Sequence, residues 1–360
     1  MEKVKLGDVC ERGSSNIAQK DIINNDGPYP IYGASGIIKY VDFYTQENEY
    51  IAIVKDGAGI GRTMLLPAKS SIIGTMQYIF PKKNIYVKYL YYAIKSMNIA
   101  KYYSGITIPH IYFKDYQKEQ LYLPELDMQK NIVEKLDKIQ EIIDISEKQV
   151  EHLDELIKSQ FVEMFEDVKE TIRLGDCCEV HARIGWQALT KNEHIQNGEY
   201  MLITGTDFRD NEIDYSTCVY VSKERYEMDK NIILKNDDIL ITKDGTIGKV
   251  AIVHNLTKPA TLNSGVFVVR PKEFFNKEYI AYVFKGPLFT DFVNKSKTGA
   301  TIKHLNQKHL VEFEIPIPTL EEQIRFSNIY KQIDKQKFEI QKSLEETQKL
   351  QESLMNKYFG

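Results

Sequence analysis

The feature that most constrains the fold of this sequence is an internal duplication. Four short motifs return in the same order, the first at an offset of 168 residues and the last two at an offset of 194. The pairs are VKLGDVC at 4–10 with IRLGDCC at 172–178, KDG at 55–57 with KDG at 243–245, TIPHI at 107–111 with TIKHL at 301–305, and P-x-L-x-x-Q at 124–129 with 318–323. Ordered repeats are hard to obtain by chance, so the sequence predicts two halves of one architecture, roughly 1–168 and 169–360.

The first two thirds of each half have the pattern of a mixed α/β domain. Short apolar runs of the β type alternate with Gly, Pro, Asn and Asp, which favour turns. We predict strands at 50–54, 72–73, 78–80, 239–241, 250–253 and 266–269, and short helices at 86–100 and 278–293. These elements predict one small, strongly curved sheet with helices in each half.

The last third of each half has the pattern of a long helix. After Pro124, apolar or small residues alternate at spacings of four and three, at positions 132, 136, 139, 143, 146, 150, 153 and 157. After Pro318 the stripe is less regular, with Phe326, Ile329, Ile333, Ile340, Leu344, Leu350, Leu354 and Tyr358, and with Gln336 and Thr347 near the seam. A helix with such a seam is not stable alone in water, so we expect the two helices to pair as a coiled coil.

The fold class that follows is α+β, with two mixed α/β domains, each followed by a long helix, in a pseudo-twofold tandem duplication. The expected limits are 1–123 for the first domain, 124–168 for the first helix, 169–317 for the second domain and 318–360 for the second helix.

Composition and charge fit a soluble, cytoplasmic protein. The chain is 42% hydrophobic and 27% charged, and its four cysteines form no C-x-x-C pair, which favours a reducing compartment. No signal peptide and no long apolar run is present, so neither export nor a membrane is expected. Residues 1–124 carry 15 basic and 11 acidic side chains, net +4, whereas residues 125–169 carry 6 and 13, net −7. The net charge of −4 therefore leaves room for a basic, DNA-binding face outside the first helix.

The order of domain, helix, domain and helix resembles the specificity subunits of type I restriction–modification systems. The segments similar to that family are YPIYGASGII at 29–38, KDGAG at 55–59, LGD at 6–8 and 174–176, and IPIP at 315–318 before LEEQ at 320–323. The resemblance covers essentially the whole chain. The chain is short for the family, which leaves open whether a terminal partner-docking helix is missing.

The resemblance implies that the two helices pair antiparallel and that the two domains are target-recognition domains for a bipartite DNA sequence. It implies as partners double-stranded DNA, two modification subunits that carry S-adenosylmethionine and adenine-N6 methyl transfer, and a motor and nuclease subunit. The chain itself would be non-catalytic, without a cofactor or a metal.

The absence of catalytic motifs agrees with that role. There is no Walker motif, no H-E-x-x-H, and no Asn/Asp-Pro-Pro-Tyr/Phe motif for a methyltransferase. The nearest approach, GPYP at 27–30, lacks the leading amide or acid and is typical of a turn. The glycine-rich runs at 32–36 and 57–61 precede no convincing helix start, so we interpret them as tight turns or as places of close approach to DNA.

Reading bases in the major groove needs Arg or Lys against guanine and Asn or Gln against adenine, on loops that enter the groove, and we expect the candidate DNA contacts on such loops. In the first half they are Ser35, Lys39, Lys55, Arg62, Thr107, His110 and Lys114. In the second half they are Arg183, Gln187, Lys243, Lys249, Lys303 and His304. Each could instead be an ordinary solvated group, and the repeated Thr and His of the TIPHI and TIKHL motifs could instead fix the junction between sheet and helix.

Two other functions stay open. A non-catalytic scaffold that binds only protein would show the same heptads, and the specificity subunit of a related system with a fused methyltransferase–nuclease partner would show the same sequence features.

Overall fold

The computed structural model describes residues 3–105, 109–184, 189–209, 212–272, 275–298 and 305–360. The chain divides into two compact units, one formed by Met1–Gln149 with Ile340–Gly360 and the other by Val150–Glu339. Each unit contains one sheet-rich domain together with parts of both long helices.

The first unit begins with short strands. They are β1 (Lys3–Lys5), β2 (Cys10–Ser14), β3 (Tyr29–Gly33), β4 (Gly36–Val41), β5 (Tyr50–Val54), β6 (Thr63–Leu66), β7 (Ser71–Ile72), β8 (Met76–Pro81) and β9 (Gln120–Tyr122). The helices of this part of the chain are α1 (Leu6–Val9), α2 (Val87–Ser96), α3 (Phe113–Tyr116) and α4 (Leu126–Phe165), the last of which continues into the second unit.

The prediction of one curved sheet per domain is wrong, because the strands form several small sheets. An antiparallel sheet has the order β2-β8-β5-β6, a second sheet has the order β4-β3-β7 with β3 and β7 parallel, and β1 pairs with β9. The reason lies in β5, whose five residues are all buried. Ile51 and Ile53 face a core that contains Tyr89 of α2, whereas Tyr50 faces a core that contains Ile72 of β7. A strand buried on both faces needs a layer on each side.

The second unit repeats this arrangement with additional short elements. Its strands are β10 (Thr171–Arg173), β11 (Cys178–Ala182), β12 (Tyr200–Ile203), β13 (Phe208–Arg209), β14 (Glu212–Ile213), β15 (Val219–Val221), β16 (Ile239–Thr242), β17 (Val250–Ile252), β18 (Ala260–Leu262), β19 (Val266–Pro271) and β20 (Glu314–Pro316). Its helices are α5 (Leu174–Cys177), α6 (Lys223–Glu227), α7 (Lys277–Lys285), α8 (Pro287–Thr298), α9 (Gln307–Leu310) and α10 (Leu320–Phe359), whose end belongs to the first unit.

The sheets of the second unit match those of the first. The orders are β11-β19-β16-β17 and β15-β12-β18, with β12 and β18 parallel, and β10 pairs with β20. The predicted duplication and the six predicted strands are therefore confirmed. The helix expected at 278–293 is instead two helices, α7 and α8, which meet at Gly286. Pro287 explains the break, because proline has no amide hydrogen and disfavours a helical residue before it.

The two long helices pair antiparallel, as expected. In the first unit Gln351 donates a hydrogen bond of 2.9 Å to Gln140, and Phe359, at the end of α10, packs on Tyr89 with 5.1 Å between the ring centroids. In the second unit Lys337 pairs with Asp154 at 2.7 Å. Within each unit, therefore, later residues of one helix meet earlier residues of the other.

The predicted seam is correct for α4 and partly wrong for α10. Leu350 is 51% exposed and Gln336 is exposed, whereas Lys337 and Gln351 lie in the seam. The seam of α10 keeps strict spacings of four and three at 326, 330, 333, 337, 340, 344, 347, 351, 354 and 358, where every residue is buried or half-buried. The apolar pattern of the sequence does not reveal this register, because the seam positions Lys337 and Gln351 are polar and have polar partners on α4.

The P-x-L-x-x-Q motif attaches each long helix to its own domain. The amide nitrogen of Gln129 donates to the carbonyls of Pro124 at 2.8 Å and Asn84 at 3.1 Å, and its oxygen accepts from the Tyr86 amide at 2.8 Å. Gln323 repeats these contacts with Pro318 at 3.0 Å and with the Asn276 amide at 2.9 Å. Both glutamines are buried. The motif thus fixes the first turn of the helix to the loop that precedes α2 or α7.

Across the described ranges, no helix combines the length and the apolar character that spanning a bilayer requires.

We expect Gln129→Ala and Gln323→Ala each to lower the free energy of unfolding by about 1–3 kcal/mol, because buried carbonyl and amide groups lose their partners. Urea denaturation followed by circular dichroism measures the change. Gln149→Ala, at an exposed position of α4, is the matched control and should change stability little. Equal stability of all three variants would contradict a structural role for the motif.

Candidate nucleic-acid interface

Three loops of the first domain meet at one place. They are the β3–β4 hairpin loop at 34–35, the glycine loop at 55–62, and the described part of the loop that precedes α3, at 104–105 and 109–112; we call them the loop cluster. The Arg62 guanidinium donates to the Ala34 carbonyl at 2.6 Å, the Gly57 amide to the Pro109 carbonyl at 3.0 Å, and the Ile111 amide to the Lys55 carbonyl at 2.9 Å. Hydrogen bonds therefore join all three loops.

The glycine loop needs its glycines for backbone reasons. Gly57 has φ +88° and Gly61 has φ +81°, a region that residues with a side chain rarely adopt. A Cβ at position 61 would also lie 3.0 Å from the Ala100 amide nitrogen. Gly245 and Gly248 have φ +68° and +85° in the second domain. The repeated glycines thus define a tight turn that carries basic residues on both sides, as the sequence predicted.

Three of the predicted contact residues of the first domain lie in the loop cluster, and one of them, Arg62, has one guanidinium nitrogen bonded to Ala34. Ser35 is exposed in the two-residue hairpin loop, Lys55 is half-exposed before the glycine turn, and Arg62 is exposed after it. Lys39 lies on β4 and makes its contacts outside the loop cluster, with the Asp26 carboxylate at 3.0 Å and the Ile23 carbonyl at 2.6 Å. Thr107 lies outside the described residues.

His110 and Lys114 are placed around an exposed tyrosine. His110 Nδ1 contacts the carboxylate of Asp56, and the His110 ring lies 4.1 Å from the Tyr112 ring, centroid to centroid. The Lys114 ammonium lies 5.2 Å from the centre of the same Tyr112 ring, where the negative face of the ring attracts a cation. His110 therefore has its ring occupied by partners within the protein, whereas Lys114 stays exposed.

The second domain builds the equivalent glycine turn with Lys243 and Lys249 on its two sides. Thr242 exchanges backbone hydrogen bonds with Gly248 and Lys249 at 2.9 Å each, and the Leu305 amide donates to the Lys243 carbonyl at 2.9 Å. That last bond is the counterpart of the bond from Ile111 to Lys55. Lys249 is exposed and Lys243 half-buried. Gln187, Lys303 and His304 lie outside the described residues.

The expectation that Arg183 stands on an exposed loop is wrong. Its side chain is 2% exposed, and it donates from Nε to the Leu262 carbonyl at 2.8 Å and from Nη2 to Thr261 at 3.2 Å. Burial lowers the pKa of Arg183, and no carboxylate of the described residues forms an ion pair with it. Arg183 follows β11 as Ser15 follows β2, and Ser15 donates to the Ile72 carbonyl at 2.6 Å. In both domains this position therefore supports the parallel strand β7 or β18.

Two features of the loop cluster were missed from the sequence. The sequence shows Asp56 only as part of the glycine motif, and its recurrence as Asp244 is the one signal of a separate structural role. Tyr112 is 45% exposed, and Tyr103, directly before the loop cluster, is 63% exposed. Nothing in the sequence distinguishes them from buried tyrosines, because their exposure depends on the loop conformation.

Comparison with known proteins agrees with the duplication. The family model of the type I restriction modification DNA specificity domain matches residues 1–155 and again residues 166–351. The chain is 23% identical over 343 residues to the MjaVIII type I restriction enzyme specificity subunit of Methanocaldococcus jannaschii, a match that covers 88% of this chain and 79% of that protein. It is 23% identical over 330 residues to a putative type I restriction enzyme specificity subunit of Haemophilus influenzae, S.HindORF215P, with 86% and 81% covered.

The fold is similar to that of a solved structure, the S subunit of a type I restriction–modification system from M. genitalium. The TM-score is 0.67 at 16% sequence identity, and the similarity covers 100% of this chain and 96% of the other.

We expect Arg183→Ala to lower the free energy of unfolding by about 1–3 kcal/mol, because the Leu262 carbonyl is left buried without its donor. Ser15→Ala should also lower the free energy of unfolding, because the Ile72 carbonyl loses the hydroxyl that donates to it. Arg209→Ala is the control, since the Arg209 side chain is 66% exposed. Urea denaturation measures all three, and an Arg183 variant as stable as the control would show that the guanidinium does not support the sheet.

Proposed function

Because the chain belongs to the family of the type I restriction modification DNA specificity domain and carries two copies of it, we propose that it is the DNA-binding specificity subunit of a type I restriction–modification complex. The observation that carries the proposal is the glycine turn that occurs once in each domain, flanked by Lys55 and Arg62 in one copy and by Lys243 and Lys249 in the other. Two similar basic turns on two similar domains suit a target in two parts.

We propose that segments 1–123 and 169–317 are the two target-recognition domains and that 124–168 and 318–360 are spacer helices. Each domain binds one half of the target. Basic side chains contact phosphates and supply affinity, and side chains that enter the major groove distinguish the bases. The paired helices hold the two half-sites at a defined separation.

The proposed contacts in the first domain centre on the loop cluster. Ser35, Lys55 and Arg62 are the proposed contacts within it, and Lys114 lies beside it on α3. Lys39, which is already paired with Asp26, is proposed only as a phosphate contact. In the second domain we propose Lys243 and Lys249. Thr107, Gln187, Lys303 and His304 remain proposals from the sequence alone.

In this proposal the chain performs no chemical step. Two modification subunits bind S-adenosylmethionine and transfer its methyl group to adenine N6, and a motor and nuclease subunit cleaves DNA. The chain acts in the cytoplasm, brings these partners to double-stranded DNA and selects the sequence. Its affinity for DNA falls as salt rises, because phosphate neutralisation releases counterions.

The proposal predicts that the two domains are separable. Replacing residues 12–120 by the equivalent segment of another specificity subunit should change one half-site and leave the other, because each domain has its own loops. Arg62→Ala should cost about 1–3 kcal/mol at one base position if Arg62 makes a bidentate contact to guanine. Selection of bound DNA from a randomised library by the complex with its modification subunits measures both.

Three outcomes distinguish the alternatives. If both half-sites change in the chimera, the two-domain model is wrong. If Arg62→Ala weakens all sequences equally, Arg62 contacts phosphate and not a base. If the complex selects no sequence at all, the scaffold that binds only protein is the better description of the chain.

A further inference from the structure

Asp56 and His110 join two loops of the loop cluster through their side chains and their backbones. The Asp56 carboxylate contacts His110 Nδ1, and both side chains are 27% exposed. The backbones of the two residues also pair as an isolated antiparallel bridge. Asp56 begins the glycine turn, and His110 lies 54 residues later in the loop that precedes α3. The pair is therefore a long-range connection at the exposed edge of the domain.

Each member of the pair is also connected to a residue that we propose as a DNA contact, Asp56 through the backbone to Lys55 and His110 through Tyr112 to Lys114. The Asp56 amide donates to the Thr75 carbonyl at 3.2 Å, next to Lys55, whose amide donates to the same carbonyl at 3.0 Å. The backbone of His110 exchanges two hydrogen bonds with Ser104, at 2.8 and 2.9 Å. Its ring packs on Tyr112, which in turn lies against the Lys114 ammonium. The pair thus connects the Lys55 side of the cluster to the Lys114 side.

A carboxylate is an unfavourable group at a surface that faces phosphates. An unpaired Asp56 would repel DNA, and its removal would strengthen binding to every sequence. The contact with His110 gives the carboxylate a hydrogen-bonding partner within the protein. The same two residue types recur in the second half as Asp244 and His304, in motifs of the same order.

We propose that Asp56 and His110 form a positioning clasp that sets the sequence specificity of the first domain without contacting a base. The proposal rests on the proposed function and deepens it. In this proposal His110 positions the loops, in place of the DNA contact predicted from the sequence. By holding the glycine turn against the loop before α3, the clasp fixes the spacing between Lys55 and Arg62 on one side and Lys114 on the other. Discrimination between bases requires that spacing, whereas attraction to phosphates does not.

The test compares Asp56→Ala, His110→Ala and the double variant in the complex with modification subunits. Competition binding measures two affinity ratios. The first compares DNA with a matched and a mismatched first half-site, and the second compares DNA with a matched and a mismatched second half-site. We expect each single variant to lose about tenfold of the first ratio and the double variant to lose no more than a single one, as for two residues of one interaction. The second ratio should stay unchanged. Asp56→Ala should bind unrelated DNA as well as the parent or better.

Glu134→Ala is the matched control, because it removes one carboxylate from an exposed ion pair with Lys138 on α4. It should alter neither ratio. Asp56→Asn keeps an acceptor for His110 and should restore most of the first ratio, and it serves as the informative variant if an alanine variant fails to fold.

The clasp is overturned if the parent complex discriminates the first half-site and the alanine variants discriminate it equally well. It is also overturned if Asp56→Ala weakens binding to unrelated DNA, or if the single losses simply add in the double variant. Failure of the parent complex itself to discriminate either half-site would be a different result, since it would contradict the proposed function.

Discussion

The antiparallel pairing of the two long helices is the constraint on which both units depend. Neither helix is stable with its apolar seam exposed to water. Because the helices pair antiparallel, the C-terminal end of each helix meets the domain of the other half. The end of α10 inserts Phe359 beside Tyr89 in the first unit, and the end of α4 inserts Phe161 beside Tyr282 in the second. Burying one such ring contributes roughly 1.5–3 kcal/mol. Each domain therefore completes its core with a helix from the other half of the duplication.

Polar groups give this pairing its register. Gln351 and Lys337 lie at seam positions of α10, where an apolar heptad would place aliphatic side chains, and they bond to Gln140 and Asp154 beside the seam of α4. Such pairs stabilise less than leucine would, but a shift of one turn would leave them without partners. The buried glutamine at the start of each helix then fixes that helix to its own domain. The polar pairs and the buried glutamines thus fix the register of the helices and their attachment within each unit.

The sequence predicts the features that depend on repetition and periodicity. Repeated motifs predict the duplication, and seam spacings of four and three predict the two long helices. Short apolar runs predict the strands around the KDG motifs. The two-layer sheets do not follow from these patterns, because the five apolar residues of β5 look the same whether one face or both are buried. The sequence favours Leu350 over Gln351 in the seam because an apolar residue is the better seam residue in general, and only the partner on α4 decides otherwise. The burial of Arg183 and the contact of Asp56 are hidden for the same reason: a charged side chain in a sequence does not reveal which buried carbonyl or which histidine it meets.

The central proposal is that this chain decides which DNA sequence its partners modify. Sequencing the methylated adenines of cells with and without the chain tests that claim most directly. We expect the cells without it to lose one asymmetric methylated motif, made of two short half-sites separated by an unspecified gap, and to keep every other modified site. An unchanged pattern of methylated adenines, in cells that express the modification subunits, would contradict the proposal.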